Sequence, residues 1–299
     1  FAHAPGCNAE AVVQYMFSVF CTLEPQWRVK TVGIIGCGNV GGRLLHRLSV
    51  LGVACHVYDP FLNEAECDAL TDLDTTLGAD IICLHTPLTR GGQYPTHHLI
   101  NQEVLEQRIR PGALLINASR GGVIDNLALL AHLNRGADLK VALDVWEGEP
   151  EINQDLLRQV NIATPHIAGY SLEGRLRGTQ MVRDGMCRSL GLAVDDSLST
   201  MAFDLSAGEE GCGADPLIIA TGQVLDQAIL ASYQVAEDDQ QMRRALGNES
   251  VKSGNKTGIL FDGLRKHYAQ RREFSYYSIS GPGELACHTE LQLLGFNTH

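Results

Sequence analysis

The fold is decided by residues 31–45, TVGIIGCGNVGGRLL, in which a β-branched run is followed at once by a glycine-rich turn and a helical pattern. Gly36 permits a tight turn, Gly38 lets the backbone approach a pyrophosphate, and Gly41 allows the helix to pack closely on the strand. A diphosphate at the start of that helix is favoured by free N–H groups and the helix dipole. The stretch therefore predicts a strand, a turn and a helix that bind a dinucleotide.

Short β-branched runs alternate with amphipathic stretches from residue 31 to about residue 168, which is typical of a parallel sheet with helices on both faces. The predicted strands cover residues 31–35, 53–58, 80–85, 113–117, 140–145 and 161–163. Runs without alternation, such as residues 81–84, indicate strands that are buried on both faces. We therefore predict an α/β fold with a doubly wound parallel sheet.

Further elements flank that sheet on both sides. Helices are predicted over residues 8–24 and 172–190, then over 216–233, 240–246, 260–270 and 284–294, with a strand at 276–280 and an exposed loop at 247–258. The predicted organisation is an interdomain helix (1–30), a nucleotide-binding domain (31–168), a returning interdomain helix (169–202) and a smaller α+β C-terminal domain (203–299).

Composition excludes several classes of function. The 299 residues carry 23 Lys and Arg against 35 Asp and Glu, a net charge of −12, which argues against nucleic acid or an anionic membrane as the main partner. The apolar run at residues 11–23 is shorter than the roughly 20 residues of a membrane span. Nine cysteines without a Cys-x-x-Cys pair predict reduced thiols in a cytoplasmic protein.

The second predicted strand ends in a carboxylate that indicates the cofactor. Asp59 follows Gly41 by 18 residues, at the spacing where an acidic side chain binds the adenosine ribose. The same charge would repel a 2′-phosphate, and no Arg or Lys lies between Asp59 and Thr89. We therefore expect a Rossmann domain that binds NAD, although Asp59-Pro60 could also merely end a strand as a turn.

Three polar segments follow later strands: INASRGG (116–122), LDVWEGEP (143–150) and TPHIAGY (164–170). Because ligands bind at the carboxyl ends of parallel strands, we expect these segments to form one site. His166 is a suitable base for a hydroxyl proton, and Arg120 can bind a carboxylate through two hydrogen bonds. Glu149 could orient the imidazole, with Glu147 as the competing residue.

At these segments the sequence resembles the D-2-hydroxyacid dehydrogenases, whose catalytic Arg, Glu and His would correspond to Arg120, Glu149 and His166. The resemblance favours Glu149 over Glu147, and it places Tyr170 and Arg120 at the substrate. The cofactor-binding residues that the motifs and the resemblance together imply are Gly36, Gly38, Asn39, Val40, Gly41, Asp59, Thr86, Asp144 and Gly169.

The likeness covers nearly the whole chain, including APGCN (4–8) and LRKHYAQRREF (264–274). It implies a phosphorylated 2-hydroxy acid as the substrate and a homodimer formed through the C-terminal domain. The family's substrate domain begins with an N-terminal segment, and this chain starts at Phe1, just before the first interdomain helix. We therefore expect this chain to bind NAD with little or no turnover.

Several alternatives remain open. The substrate could be that of a phosphoglycerate or hydroxypyruvate dehydrogenase, or the chain could be a dimeric module that senses NAD without catalysis. The densest basic cluster, Arg265, Lys266, Arg271 and Arg272, is either a solvated helix face or the source of an arginine that holds a substrate phosphate. The pair His97-His98 has no carboxylate beside it in the sequence, so we expect no metal site.

Overall fold

The computed structural model describes residues 2–194, 216–218, 224–247, 256–280 and 285–298. These residues fall into two compact units. One unit comprises Val19–Ala168 and Gln234–Tyr268, and the other comprises Phe1–Ser18, Gly169–Tyr233 and Ala269–His299.

The first unit is built on six parallel strands. They are β1 Val32–Ile35, β2 Cys55–Tyr58, β3 Ile81–Leu84, β4 Ala113–Asn117, β5 Leu139–Leu143 and β6 Ile162–Ala163, in the order β2-β1-β3-β4-β5-β6. Every residue of β1, β3 and β4 is buried, as the unbroken apolar runs predict. The strand order reverses between β1 and β3, which creates a crevice at their carboxyl ends. The structure thus confirms the doubly wound sheet.

Helices precede, separate and follow these strands along the chain. They are α1 Ala9–Leu23, α2 Asn39–Val50, α3 Leu73–Leu77, α4 Gln102–Gln107, α5 Asn126–Asn134, α6 Gln154–Gln159, α7 Leu172–Leu190, α8 Val224–Ser232, α9 Val235–Leu246, α10 Lys256–Lys266 and α11 Leu285–Leu294. Helix α5 begins at Asn126 because the carboxylate of Asp125 accepts hydrogen bonds from the N–H groups of Leu127 and Ala128. No helix in the described part of the chain is long and apolar enough to cross a membrane.

Helices α9 and α10 pack on the nucleotide-binding sheet, although the sequence analysis placed them in the C-terminal domain. Met242, Leu246 and Phe261 are buried in the same apolar cluster as the strands. Asp239 accepts a hydrogen bond of 2.7 Å from the N–H of Ala163 in β6. Arg243 donates to the carbonyl oxygens at the end of α6. Helix α9 thus covers the edge strand and α10 adds Phe261 to the same apolar cluster, which is why residues 234–268 fall in the first unit.

The second unit contains α7 and a parallel sheet of β7 Pro216–Ile218, β8 Ser278–Ser280 and β9 Asn297–Thr298. The prediction of a helix from residue 216 was wrong at its start, because Pro216–Ile218 pairs with β8 instead. Residues 219–223 lie outside the described residues, and α8 begins at Val224. A short apolar run suits a strand as well as a helix, so periodicity could not distinguish them.

The predicted loop at residues 247–258 ends earlier than expected, because α10 already begins at Lys256. A Cβ on Gly258 would lie 2.3 Å from Glu151 Oε1, so glycine allows the helix start to approach that side chain. The N–H of Gly258 donates to the same oxygen at 3.2 Å. Residues 248–255 lie outside the described part of the chain.

Candidate active site

The glycine-rich turn after β1 has the geometry that the sequence requires. Gly36 has a φ of +92°, and a Cβ there would lie 2.9 Å from the carbonyl carbon of His85. A Cβ on Gly41 would lie 2.0 Å from the oxygen of Gly36, so the helix packs directly on the turn. Gly38, in contrast, has open space where a Cβ would stand. The turn is therefore closed on the protein side and open where a ligand can approach.

Helix α2 presents its N-terminus to that open space. It begins at Asn39, and its N-cap residue, Gly38, provides no side chain that could accept hydrogen bonds from the first N–H groups. The first N–H groups of a helix have no partner within the helix, so they are available to a bound anion. Asn39 and Val40 therefore contribute backbone N–H groups at the place where the sequence analysis put the diphosphate.

A cavity of about 410 Å³ lies beside the turn and is lined by Gly36, Gly38, Tyr58, Asp59 and the segment that follows β3. Asp59 Oδ2 accepts a hydrogen bond of 2.9 Å from the N–H of Cys37. Its Oδ1 accepts one of 3.1 Å from the N–H of Phe61. The carboxylate is therefore held against the glycine-rich turn and lines the cavity.

Buried polar atoms in this cavity fit a dinucleotide. Both ring nitrogens of His85 and Oγ1 of Thr86 have no hydrogen-bond partner among the described residues, and both side chains line the cavity. Burial lowers the pKa of His85 to about 4, so its ring is neutral at pH 7. The described lining residues include no Lys or Arg that could bind a 2′-phosphate. The cavity suits NAD, with Thr86 in the predicted position.

His166 and Glu149 meet at the carboxyl edge of the sheet. Nδ1 of His166 lies 2.5 Å from Oε1 of Glu149, and Oε2 of Glu149 accepts a hydrogen bond of 3.1 Å from the N–H of Trp146. The competing residue Glu147 is bound to His98 instead, at 2.7 Å. The geometry therefore selects Glu149 as the partner of the imidazole, as the resemblance implied.

The surroundings of His166 favour its charged form. The hydrogen bond that His166 donates to Glu149 is the largest cause that raises the pKa of His166, and the charges of Asp144 and Glu149 act in the same direction. Burial and the charge of Arg265 oppose them. An imidazole with a raised pKa that keeps Nδ1 bound to a carboxylate can exchange a proton through Nε2.

Asp144 shapes the loop that carries His166. Its side chain is buried, and Oδ1 accepts hydrogen bonds from Thr164 Oγ1 at 2.7 Å and from the N–H of Ile167 at 2.8 Å. Oδ2 accepts another from the N–H of Ala168 at 3.0 Å. Burial raises the pKa of Asp144, and these hydrogen bonds and His166 oppose that rise. The sequence analysis placed Asp144 among the cofactor-binding residues and missed this structural role.

The turn that carries Arg120 lies against the loop that carries Glu149. Asn117 holds the turn through a hydrogen bond from Nδ2 to the carbonyl oxygen of Arg120, at 3.0 Å. A Cβ on Gly121 would lie 2.0 Å from the backbone of Trp146, so the two loops are in direct contact. The guanidinium of Arg120 is exposed and donates only to its neighbour Ser119 in the described structure. It is therefore available to an anionic ligand.

The four residues of the basic cluster have different surroundings. Arg271 is buried and donates to the carbonyl oxygen of Ala11, and Arg272 donates to Glu173 at 2.7 Å. Arg265 lies in the same unit as His166, and its Nε is buried without a hydrogen-bond partner among the described residues. Lys266 is exposed on the same helix. A nitrogen of the Arg265 guanidinium also lies 3.6 Å from Oδ1 of Asp262. The hypothesis of a phosphate-binding arginine stays a prediction.

Gly169 and Tyr170 belong to the other compact unit. A Cβ on Gly169 would lie 2.3 Å from Nδ2 of Asn8, so glycine allows that close contact. The ring of Tyr170 lies 5.6 Å from the guanidinium carbon of Arg175. Their predicted contacts with cofactor and substrate stay predictions.

Two family models match the chain. The first, described as the NAD-binding domain of D-isomer specific 2-hydroxyacid dehydrogenases, covers residues 20–168. The second, a domain of unknown function, covers residues 219–295. The first match confirms the cofactor prediction for the nucleotide-binding sheet.

Curated relatives match over almost all of the chain. The erythronate-4-phosphate dehydrogenase of Cellvibrio japonicus is 42% identical over 303 residues, which are 99% of this chain and 77% of the relative. That of Teredinibacter turnerae is 45% identical over 285 residues, covering 94% and 72%. Among solved structures, D-lactate dehydrogenase from Aquifex aeolicus with NAD and lactic acid aligns with a TM-score of 0.53 and 25% identity, covering 68% and 70% of the two chains.

Proposed function

Because this chain belongs to the erythronate-4-phosphate dehydrogenases, within the D-isomer specific 2-hydroxyacid dehydrogenase family, we propose that it carries out their reaction. The reaction is the NAD-dependent oxidation of 4-phospho-D-erythronate at C2 to the 2-oxo acid, in the synthesis of pyridoxal 5′-phosphate. The observation that carries the proposal is the distance of 2.5 Å between His166 Nδ1 and Glu149 Oε1 at the carboxyl edge of the nucleotide-binding sheet.

The chemistry follows from the two groups at that contact. Oxidation removes a hydride from C2 and a proton from the C2 hydroxyl, and bound NAD supplies the hydride acceptor. Neutral His166 takes the hydroxyl proton at Nε2, while Glu149 keeps Nδ1 protonated and stabilises the imidazolium that forms. In the reverse direction the same imidazolium returns the proton to the carbonyl oxygen.

Two arginines hold the anionic ends of the substrate in this proposal. Arg120 binds the carboxylate and polarises the oxygen at C2, since its planar guanidinium can make two parallel hydrogen bonds. Arg265 is the phosphate partner, because its buried Nε has no hydrogen-bond partner among the described residues and its charge acts on His166.

Assembly and location complete the proposal. We infer a homodimer that forms through the C-terminal region, which follows from the resemblance. A cytoplasmic location is supported by seven cysteines that are all free in the described part of the chain, since thiols stay reduced in that compartment. Sedimentation analysis would test the dimer.

The decisive experiment measures NADH formation by the purified protein. The panel contains 4-phospho-D-erythronate, its unphosphorylated form, 3-phosphoglycerate and glycerate. We expect turnover with the first compound and its loss in His166→Ala. Preference for 3-phosphoglycerate would favour the phosphoglycerate type, and unchanged behaviour of His166→Ala would favour the NAD-sensing module.

Arg265→Ala separates the role of the phosphate from general damage to the site. We expect KM for the phosphorylated substrate to rise much more than KM for the unphosphorylated one, with Lys266→Ala as the matched control on the same helix. An equal effect on both substrates would refute the assignment of Arg265.

A further inference from the structure

We propose that His97, His98 and Glu147 form a binding site for a divalent transition-metal ion of the zinc type, apart from the reacting groups. Each side chain offers one ligand atom, and these atoms all lie within 4.8 Å of one another. The histidines follow β3 and the glutamate follows β5, so only the tertiary structure brings them together. The carboxylate that the sequence lacked beside the histidine pair is supplied from elsewhere in the chain.

The ligand atoms lie close enough together for one ion, once the two stacked imidazoles rotate so that their nitrogens converge. Nε2 of His98 lies 2.7 Å from Oε1 of Glu147, and Nε2 of His97 lies 3.9 Å from the same oxygen. Zinc binds histidine nitrogen and carboxylate oxygen at about 2.0–2.2 Å in tetrahedral geometry, so neighbouring ligand atoms stand roughly 3.4 Å apart. The two observed distances lie on either side of that separation. An ion would replace the His98–Glu147 hydrogen bond.

The groups around the ligands hold them as metal sites require. Oδ2 of Asp125 lies 3.6 Å from Nδ1 of His98, so a small movement of the imidazole would form the hydrogen bond by which a carboxylate orients a metal-bound histidine. Asp125 is itself fixed, because its Oδ1 caps α5. The N–H of Asn126 donates to Oε2 of Glu147 at 3.3 Å, which leaves Oε1 facing the two imidazoles.

The hydrogen bond between His98 and Glu147 does not explain why His97 lies beside the same carboxylate. Glu147 is already bound by His98, yet the rings of His97 and His98 stack at 3.9 Å between centroids, and Nε2 of His97 also lies 3.9 Å from Oε1. Their side chains are 24% and 32% exposed, so an ion can enter from solvent and keep a water molecule as its fourth ligand.

Occupancy of this site would connect two functional loops. Thr96 and Leu99, which flank the histidine pair, line the dinucleotide cavity, and Glu147 stands two residues before Glu149. An ion would therefore tie the wall of the cavity to the loop that orients His166. The expected consequence is higher thermal stability of the metal-bound protein, because an ion that binds only the folded state stabilises it.

The test uses untagged protein that has first been treated with a chelator. Zn²⁺ is titrated calorimetrically, and Co²⁺ is followed by its visible absorption bands. We expect one equivalent at this site, a tetrahedral Co²⁺ spectrum without a thiolate-to-cobalt band, and a higher thermal midpoint with Zn²⁺. His97→Leu removes one ligand and leaves the His98–Glu147 bond, so we expect at least about tenfold weaker binding.

Controls make the outcome unambiguous. His46→Leu, an exposed histidine on α2, should leave the affinity unchanged. The thermal midpoint of His97→Leu in chelator should match that of the parent protein, which shows that the variant folds. Equal affinity of His97→Leu and parent, absence of binding, or a thiolate-to-cobalt band that places the ion on cysteines would each overturn the proposal. Because the readout is binding, it does not depend on the proposed catalytic activity.

Discussion

Replacing Glu149 by Gln tests the pair on which the proposed chemistry depends. The change keeps the size of the side chain and an acceptor oxygen for Nδ1 of His166, but it removes the negative charge that lies 2.5 Å away. The two side chains are only 29% and 26% exposed, so solvent does not reduce their interaction to that of a surface pair.

The size of the effect follows from the loss of that charge. A hydrogen bond to a charged group contributes about 1.5–3 kcal/mol, roughly twice the neutral value. Glu149→Gln should therefore cost about 0.8–1.5 kcal/mol of transition-state stabilisation, or roughly four- to thirteenfold in kcat/KM. Glu149→Ala removes the bond entirely and should cost about 13- to 160-fold.

The pH dependence gives a second and independent readout. Oxidation needs neutral His166, so kcat/KM falls as the pH drops through the raised pKa of this residue. Glu149→Gln removes the main cause of the rise, and the acidic limb of the profile should therefore move to lower pH. The assay is the initial rate of NADH formation from 4-phospho-D-erythronate over a pH series.

Glu147→Gln is the matched control when both proteins are assayed in chelator, which keeps the proposed metal site empty, because Glu147 lies two residues away and binds His98 instead. We expect both its rate and its pH profile to follow those of the parent protein. The reasoning is refuted if Glu149→Gln keeps the parent's acidic limb, or if Glu147→Gln produces the same loss.

Three further predictions follow from the site. A Cβ at Gly41 meets the backbone at 2.0 Å while one at Gly38 meets nothing within 4 Å, so Gly41→Ala should lower the free energy of unfolding by about 1–3 kcal/mol. Gly38→Ala should leave the free energy of unfolding in urea unchanged, yet lower the affinity for NAD in a fluorescence titration. An equal loss of unfolding free energy in both variants would contradict this. Asp59→Asn removes the charge beside the ribose site, so Kd for NAD should rise roughly tenfold. The preference for NAD over NADP should also shrink. An unchanged preference would show that Asp59 does not select the cofactor. Because the folded pKa of His166 is raised, its stabilising contribution is complete below the unfolded pKa of about 6.5 and disappears as the pH rises through the folded pKa. The difference in unfolding free energy between the parent protein and His166→Gln should therefore shrink from acid to alkaline pH. A difference that does not change with pH would argue against the raised pKa.

The order of elements in the nucleotide-binding sheet was determined by the sequence alone. Strands β1, β3 and β4 are short runs that are buried on both faces, and Gly36 and Gly41 each meet a local steric demand in the turn after β1. Such signals act over a few neighbouring residues, so they are visible without the fold. The pairing of Glu149 with His166 was also accessible, because both residues follow adjacent parallel strands and the family resemblance selected Glu149.

Only the tertiary structure decided which distant groups meet. Asp144 reads as a carboxylate at a strand end, yet it organises the His166 loop because its oxygens face the N–H groups of Ile167 and Ala168. In the sequence Glu147 competes with Glu149 as the partner of His166, yet in the structure it lies beside the two histidines that follow β3. Helices α9 and α10 were predicted to belong to a separate domain, yet α9 covers β6 and α10 packs into the same apolar cluster. Burial and close approach across long stretches of chain determine these contacts, and neither periodicity nor spacing in one sequence records them.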